Sequence, residues 1–229
     1  MYWFIFIALM VLSLVVSKVL NARIEKYSKI RLSSGLTGRE VAEKMLRDNG
    51  IYDVHVISVN GRLTDHYNPQ DKTVNLSEGV YASNSIAAAA VAAHECGHAV
   101  QHATAYRWLA MRSRMVPAVQ FGSQWSQWIL LAGIILLSFS SIIGRWVLFV
   151  GIALFALTTL FSIITLPVEY NASARAVAWL EDTGITVGEE TEMAKDALNW
   201  AARTYLIAAI SSLATLLYYI YIALAANRR

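Results

Sequence analysis

Four stretches of the chain are apolar enough, and long enough, to be read as membrane crossings. Residues 2–20 are interrupted only by Ser13, Ser17 and Lys18, and about 20 such residues in a helix cross a ~30 Å hydrocarbon core. Residues 129–143 and 147–166 form the next two, parted by the polar break Gly144-Arg145-Trp146, which predicts a transmembrane hairpin with its short loop outside. The last, 205–226, runs into Asn227-Arg228-Arg229. The first stretch has no basic residues ahead of it and no small-residue cleavage pattern behind it, so it reads as a retained anchor rather than a signal peptide. Trp125 and Trp128 stand where an interfacial aromatic belt is expected.

Between the first two stretches the pattern changes. Residues 32–124 mix polar and apolar positions and carry turn residues, so strands are expected here. Thr37 with Glu40 three residues later is a capping box, predicting a helix over 38–48 with Val41, Met45 and Leu46 on its apolar face and Asn49-Gly50 at its end. Residues 54–59 alternate as a strand with His55 facing outward. Asn60-Gly61 signals a hairpin returning through 62–67. A turn at Asn68-Pro69-Gln70-Asp71 leads to a third strand, 73–76. Together these predict a small antiparallel sheet whose edge is the third strand, placed to hold an extended peptide. The run 85–93 is rich in alanine and free of Pro and Gly, which predicts a helix capped by Ser83 or Ser85.

Composition agrees with the apolar runs: 56% of the 229 residues are hydrophobic and 15% charged, the balance of a membrane protein. A net charge of +3, with its basic residues spread along the chain, argues against nucleic acid as a partner. Placed on the predicted crossings, sixteen of the nineteen Lys and Arg residues fall on one side. By the positive-inside rule that side is the cytoplasm, and both termini lie outside. With a single cysteine, Cys96, neither an internal disulfide nor a thiolate cage is available, and Cys96 reads as a small buried apolar residue.

The chemistry concentrates at the end of the alanine-rich helix, in His94-Glu95-Cys96-Gly97-His98. Residues four apart share a helix face, about 6 Å along the axis, so His94 and His98 can offer two imidazoles to one tetrahedral zinc ion (Zn2+), with Glu95 beside it as general base. His102 is four residues further on, but about 12 Å along the axis from His94, which assigns it to the surface or to a supporting role. A third ligand is expected where the chain returns to the same membrane face, and Glu169 stands there at the start of a helix. Glu181 and Asp182 are the competitors, placed at what reads as an exposed helix end before Gly184. Asp65 and His66 read as the end of a strand, with substrate handling as the alternative. A tetrahedral oxyanion needs a further donor; Arg175 and Tyr170 are the candidates, Arg175 preferred because its charge is fixed.

Three segments carry a resemblance: His94-Glu95-Cys96-Gly97-His98, the stretch Leu63-Thr64-Asp65-His66-Tyr67-Asn68-Pro69, and Val168-Glu169-Tyr170-Asn171-Ala172-Ser173. In these the chain resembles the YugP-like neutral zinc metallopeptidases, bacterial membrane proteins, over nearly its whole length. More distantly its layout is similar to the Ste24 and HtpX membrane proteases, gluzincins in which HExxH is followed by a Glu ligand in an ExxxD pattern. Here the fourth position after Glu169 is Ser173, so the carboxylate that would orient the first histidine is absent and Asn171 or Ser173 takes its place.

The expected fold is therefore a mainly α membrane protein with four transmembrane helices and a small α+β zincin-like catalytic segment. Its expected parts are an anchor (1–20), an α+β segment with the zinc helix (21–124), a transmembrane hairpin (125–166), a helical segment with the third ligand (167–204) and a C-terminal crossing (205–229). The expected function is that of a multi-pass, membrane-embedded zinc endopeptidase of the cell membrane. Zinc is held by His94, His98 and Glu169 on the cytoplasmic side, Glu95 is the base, and the substrate is a peptide or membrane protein. Two other classes fit the residues less well. A scaffold or chaperone with structural zinc would need four protein ligands, and a site-2-type intramembrane protease would need a Leu-Asp-Gly triplet that the chain lacks.

Overall fold

The computed structural model describes residues 2–225; Arg228 and Arg229, counted in the charge pattern, lie outside the described residues. The chain is mainly helical and runs α1 (Tyr2–Ser28), α2 (Gly38–Asp48), β1 (His55–Val59), β2 (His66–Asn68), β3 (Thr73–Ser77), α3 (Glu78–Tyr81), α4 (Ile86–Ala103), α5 (Arg107–Leu136), α6 (Ser141–Asp182) and α7 (Glu189–Ala225). Among the described residues, three stretches are helical, long and apolar enough to cross a membrane: Phe4–Ser28, Ile142–Asp182 and Glu189–Ala225. Two compact units divide the chain. One comprises Leu14–Leu109 and Pro167–Thr204, the other Met1–Ser13, Ala110–Leu166 and Tyr205–Arg229.

In the first unit the local signals set the elements. Thr37 Oγ1 accepts from Glu40 N (3.3 Å) while the Glu40 carboxylate accepts from Thr37 N (2.8 Å), so the capping box starts α2 where expected. Gly50, at φ +70°, turns the chain away after it. Ser85 caps α4 by accepting from Ala88 N at 3.2 Å. Val41, Met45 and Leu46 of α2 bury against α4, whose alanines are almost wholly enclosed. Ala176, Leu180, Ala194, Ala197 and Leu198, from the last part of α6 and the first part of α7, belong to the same core.

The sheet departs from the antiparallel hairpin expected above. Its order is β1-β3-β2, with β1 parallel and β2 antiparallel to β3. The third strand is thus central, and the edges are β1 and β2. Burial explains the order: Val74 and Leu76 of β3 are completely enclosed and Asn75 and Ser77 nearly so, which an edge position would not provide. The Asn60-Gly61 turn does not close a hairpin. The chain instead loops through 60–65, and the Asp65 carboxylate fastens that loop to the end of β3 by accepting from Ser77 N (2.7 Å) and Ser77 Oγ (3.0 Å).

In the second unit, α5 and α6 approach through small residues. A Cβ on Gly133 would stand 2.7 Å from Leu148 N, and one on Gly151 2.9 Å from Leu130 N. Leu130, Leu148, Ile152 and Ala223 form the core there, and Thr159 on α6 hydrogen-bonds Ser212 on α7 at 2.8 Å. The helical break differs from the expected one. It falls at residues 137–140, and Gly144-Arg145-Trp146 lies inside α6. The reason is close packing, since a Cβ on Gly144 would run into the backbone of Leu136 and Leu137. The glycine read as a helix breaker instead lets the first turn of α6 fold back on the end of α5.

Candidate metal centre

Two helices of the first unit supply the centre, and a glycine brings them together. A Cβ on Gly97 would lie 2.7 Å from Ala172 O and 3.1 Å from Ala172 Cα, so α4 and α6 touch backbone to backbone at this point. Ala172 is itself fully buried. Around that contact stand His94, one residue short of a turn before Gly97, His98 just after it, and Glu169 and Ser173 on either side of Ala172.

The side chains then converge. His94 Nε2 lies 3.4 Å and His98 Nε2 3.6 Å from Glu169 Oε2, with the carboxylate side chain 3% exposed and the imidazoles 13% and 11%. The two rings are nearly perpendicular, their centroids 4.8 Å apart. The far nitrogens are occupied: His94 Nδ1 meets Ser173 Oγ at 3.1 Å, and His98 Nδ1 meets Gln101 Oε1 at 3.1 Å. Both Nε2 atoms are therefore aimed at one oxygen, and that oxygen is buried without a hydrogen bond.

This arrangement fits a cation. The three ligand atoms lie within 4.8 Å of one another, and ligands 2.0–2.1 Å from a tetrahedral ion stand about 3.4 Å apart. Two imidazoles and one carboxylate are the donor set of hydrolytic zinc sites, which leave a fourth position open. Burial opposes protonation of His98, but the carboxylates of Glu169 and Glu95 outweigh it and raise its pKa. Glu95 is nearly buried on the same turn and accepts from the backbone N–H of Tyr67 at 3.1 Å through Oε2. β2 is an edge strand, so this N–H is available to reach outward from the sheet. Cys96 faces the other way: burial, with Glu95 nearby, pushes its thiol well above the usual range, and it donates to Ala42 O at 3.5 Å.

The family described as "Putative neutral zinc metallopeptidase" matches residues 2–224. The chain belongs to that family. The protein named "Putative membrane protease YugP" from Bacillus subtilis (strain 168) is 42% identical over 222 residues, which cover 97% of this chain and 96% of its own length. No solved structure matches the chain.

In this member of the zinc metallopeptidase family, the structure brings His94, His98 and Glu169 together and leaves the competing carboxylates out. Glu181 and Asp182 are exposed at the end of α6, with Glu181 about 18 Å along the axis from Glu169. His102 is exposed and its Nδ1 meets the Tyr67 hydroxyl at 2.8 Å. Asp65 serves the loop described above, and exposed His66 meets Thr64 O through Nδ1 at 2.8 Å. Of the two oxyanion candidates, Arg175 is half-buried and its Nε donates to Asn171 Oδ1 at 2.8 Å, while Tyr170 is 43% exposed. Ser173, rather than Asn171, takes the place beside His94.

Two participants escape a reading by motif. Gly97 occupies a free position of HExxH, and only its contact with α6 reveals its use. Gln101, fully buried, sits three residues after His98 on the same helix face, a spacing that could have flagged it. Its other partners, Val168 and Asn171, are distant in the chain.

Proposed function

We propose that the protein is a multi-pass membrane zinc endopeptidase of gluzincin type, with His94, His98 and Glu169 as metal ligands and Glu95 as general base. The observation that carries this reading is the convergence of both Nε2 atoms on the buried, hydrogen-bond-free Oε2 of Glu169. Zinc bound there would supply Lewis acidity, polarising a peptide carbonyl and acidifying a water molecule. Glu95 holds one carboxylate oxygen on the Tyr67 N–H and keeps Oε1 to take the proton from the attacking water and pass it to the departing amine. For the developing oxyanion, α6 offers Tyr170 and Arg175. The substrate class that suits such a centre is a peptide or a membrane protein.

The membrane arrangement belongs to the same proposal. Besides the three long apolar helices, α5 carries no charged residue after Arg114 and supplies the fourth crossing. The basic residues then gather on the side of His94, His98 and Glu169, which supports a cytoplasmic site.

Replacing Glu95 by Gln keeps the shape and removes the base. The E95Q protein should retain zinc and lose about 10²–10⁴-fold in the rate of peptide cleavage, measured on purified protein with a quenched peptide library. Equal cleavage by E95Q and wild type would end the hydrolase reading.

A further inference from the structure

We propose that Arg175, Asn171 and Gln101 form a one-way hydrogen-bond chain that fixes the ring proton of His98 on Nδ1 and so presents a bare Nε2 to the metal. For its consequence at the metal, the inference rests on the reading of His98 as a zinc ligand.

The direction of the chain follows from what each group can do. A guanidinium has only donors, so the Arg175 Nε bond to Asn171 at 2.8 Å identifies the facing atom of Asn171 as its oxygen. That same oxygen also meets Gln101 at 3.0 Å, and Gln101 meets the carbonyl of Val168 at 2.8 Å. Two acceptors can be met only by the NH2 end of an amide, so Gln101 must turn Oε1 toward His98. An oxygen at 3.1 Å from Nδ1 needs a hydrogen there. In a neutral imidazole the other nitrogen then carries the lone pair. Reversing Gln101 would set oxygen against oxygen twice, and the residue is completely buried, so water cannot compensate.

His94 is held differently. Its partner is the Ser173 hydroxyl, which can donate or accept and therefore orients the ring without dictating its proton. The chain makes His98 the histidine with a fixed tautomer and gives Arg175 a positioning role exerted through two intermediate amides. The Val168 bond also ties Gln101 to the residue before Glu169, so one side chain relates the second histidine to the carboxylate ligand.

The variants Q101L, N171L and N171D, in detergent-solubilised full-length protein, separate this role from mere packing. Zinc affinity would be read by competition with a chromophoric chelator. Q101L and N171L should weaken zinc binding by about 10–100-fold, the usual range for loss of a ligand-orienting partner. N171D keeps an acceptor for both Arg175 and Gln101 and should stay within roughly three-fold of wild type. A packing role alone predicts the reverse order, because N171L buries no charge and N171D does. The proton itself can be seen in long-range 1H–15N spectra of histidine-labelled, metal-free wild type at a pH where the imidazole is neutral, and it should reside on Nδ1 of His98. A proton found on Nε2, or N171D losing zinc as severely as N171L, would overturn the inference. Failure of the wild type to bind zinc would remove the proposed function, while the spectra would still decide the tautomer.

Discussion

A buried polar atom without a partner costs about 1–3 kcal/mol, and more when it carries charge. Glu169 Oε2 is such an atom, and it faces two imidazole nitrogens. The simplest way to relieve that cost is a cation shared with His94 and His98. Glu169→Gln preserves the shape and removes the charge. Zinc content of the purified variant, measured by atomic absorption, should fall from about one ion per chain to well below it; an unchanged content would move the ligand role elsewhere. At this scale the motif was legible because helical spacing alone stacks His94 over His98. Glu169 was expected on the ground that its segment would return the chain to the face of the two histidines, and the structure brings the three side chains together. Gln101 and Asn171 were not legible, since their meaning lies in bonds between residues 70 positions apart in the chain, which no local pattern encodes.

Elements carry the centre only as far as their contacts are tight. The α4–α6 contact rests on Gly97, where an added methyl would need space already held by the Ala172 backbone. Backbone cannot turn aside as a flexible side chain can, so the helices must part. Gly97→Ala should lower stability by about 1–3 kcal/mol, the cost of overpacking, and should weaken zinc binding because the ligands come from both helices. Thermal unfolding with and without zinc measures both effects; a variant matching wild type in each would show that the contact is not limiting. Helix ends were readable because caps are local chemistry, as Thr37 with Glu40 and Ser85 show. Strand order was not. The Asn60-Gly61 signal describes a turn over a few residues, whereas the position of β3 was decided by burial of Val74 and Leu76 in a core shared with α2 and α4. Gly144 misled for a related reason: sequence alone does not distinguish a glycine that ends a helix from one that lets two helices touch.

For the whole molecule the governing quantity is length. At 1.5 Å per residue α6 is ~63 Å long, about twice a ~30 Å hydrocarbon core. If the apolar first half of α6 crosses the bilayer, as proposed, the helix is long enough to leave Glu169 and Ser173 outside the hydrocarbon. The proposed four-crossing arrangement makes a sided prediction that the chain's own cysteine does not obscure. Cys96 is fully buried and its thiol is pushed well above the usual range, so it should resist thiol reagents in the folded protein. A cysteine placed at exposed Ser138, in the turn between α5 and α6, should react with a membrane-impermeant maleimide in intact cells. A cysteine at exposed Ser34, before α2, should react only after the membrane is opened. Labelling of both without permeabilisation would place the turn and the segment before α2 on one side. That would require α5 to stay out of the bilayer and would remove the positive-inside argument for a cytoplasmic site, while leaving the convergence of His94, His98 and Glu169 intact.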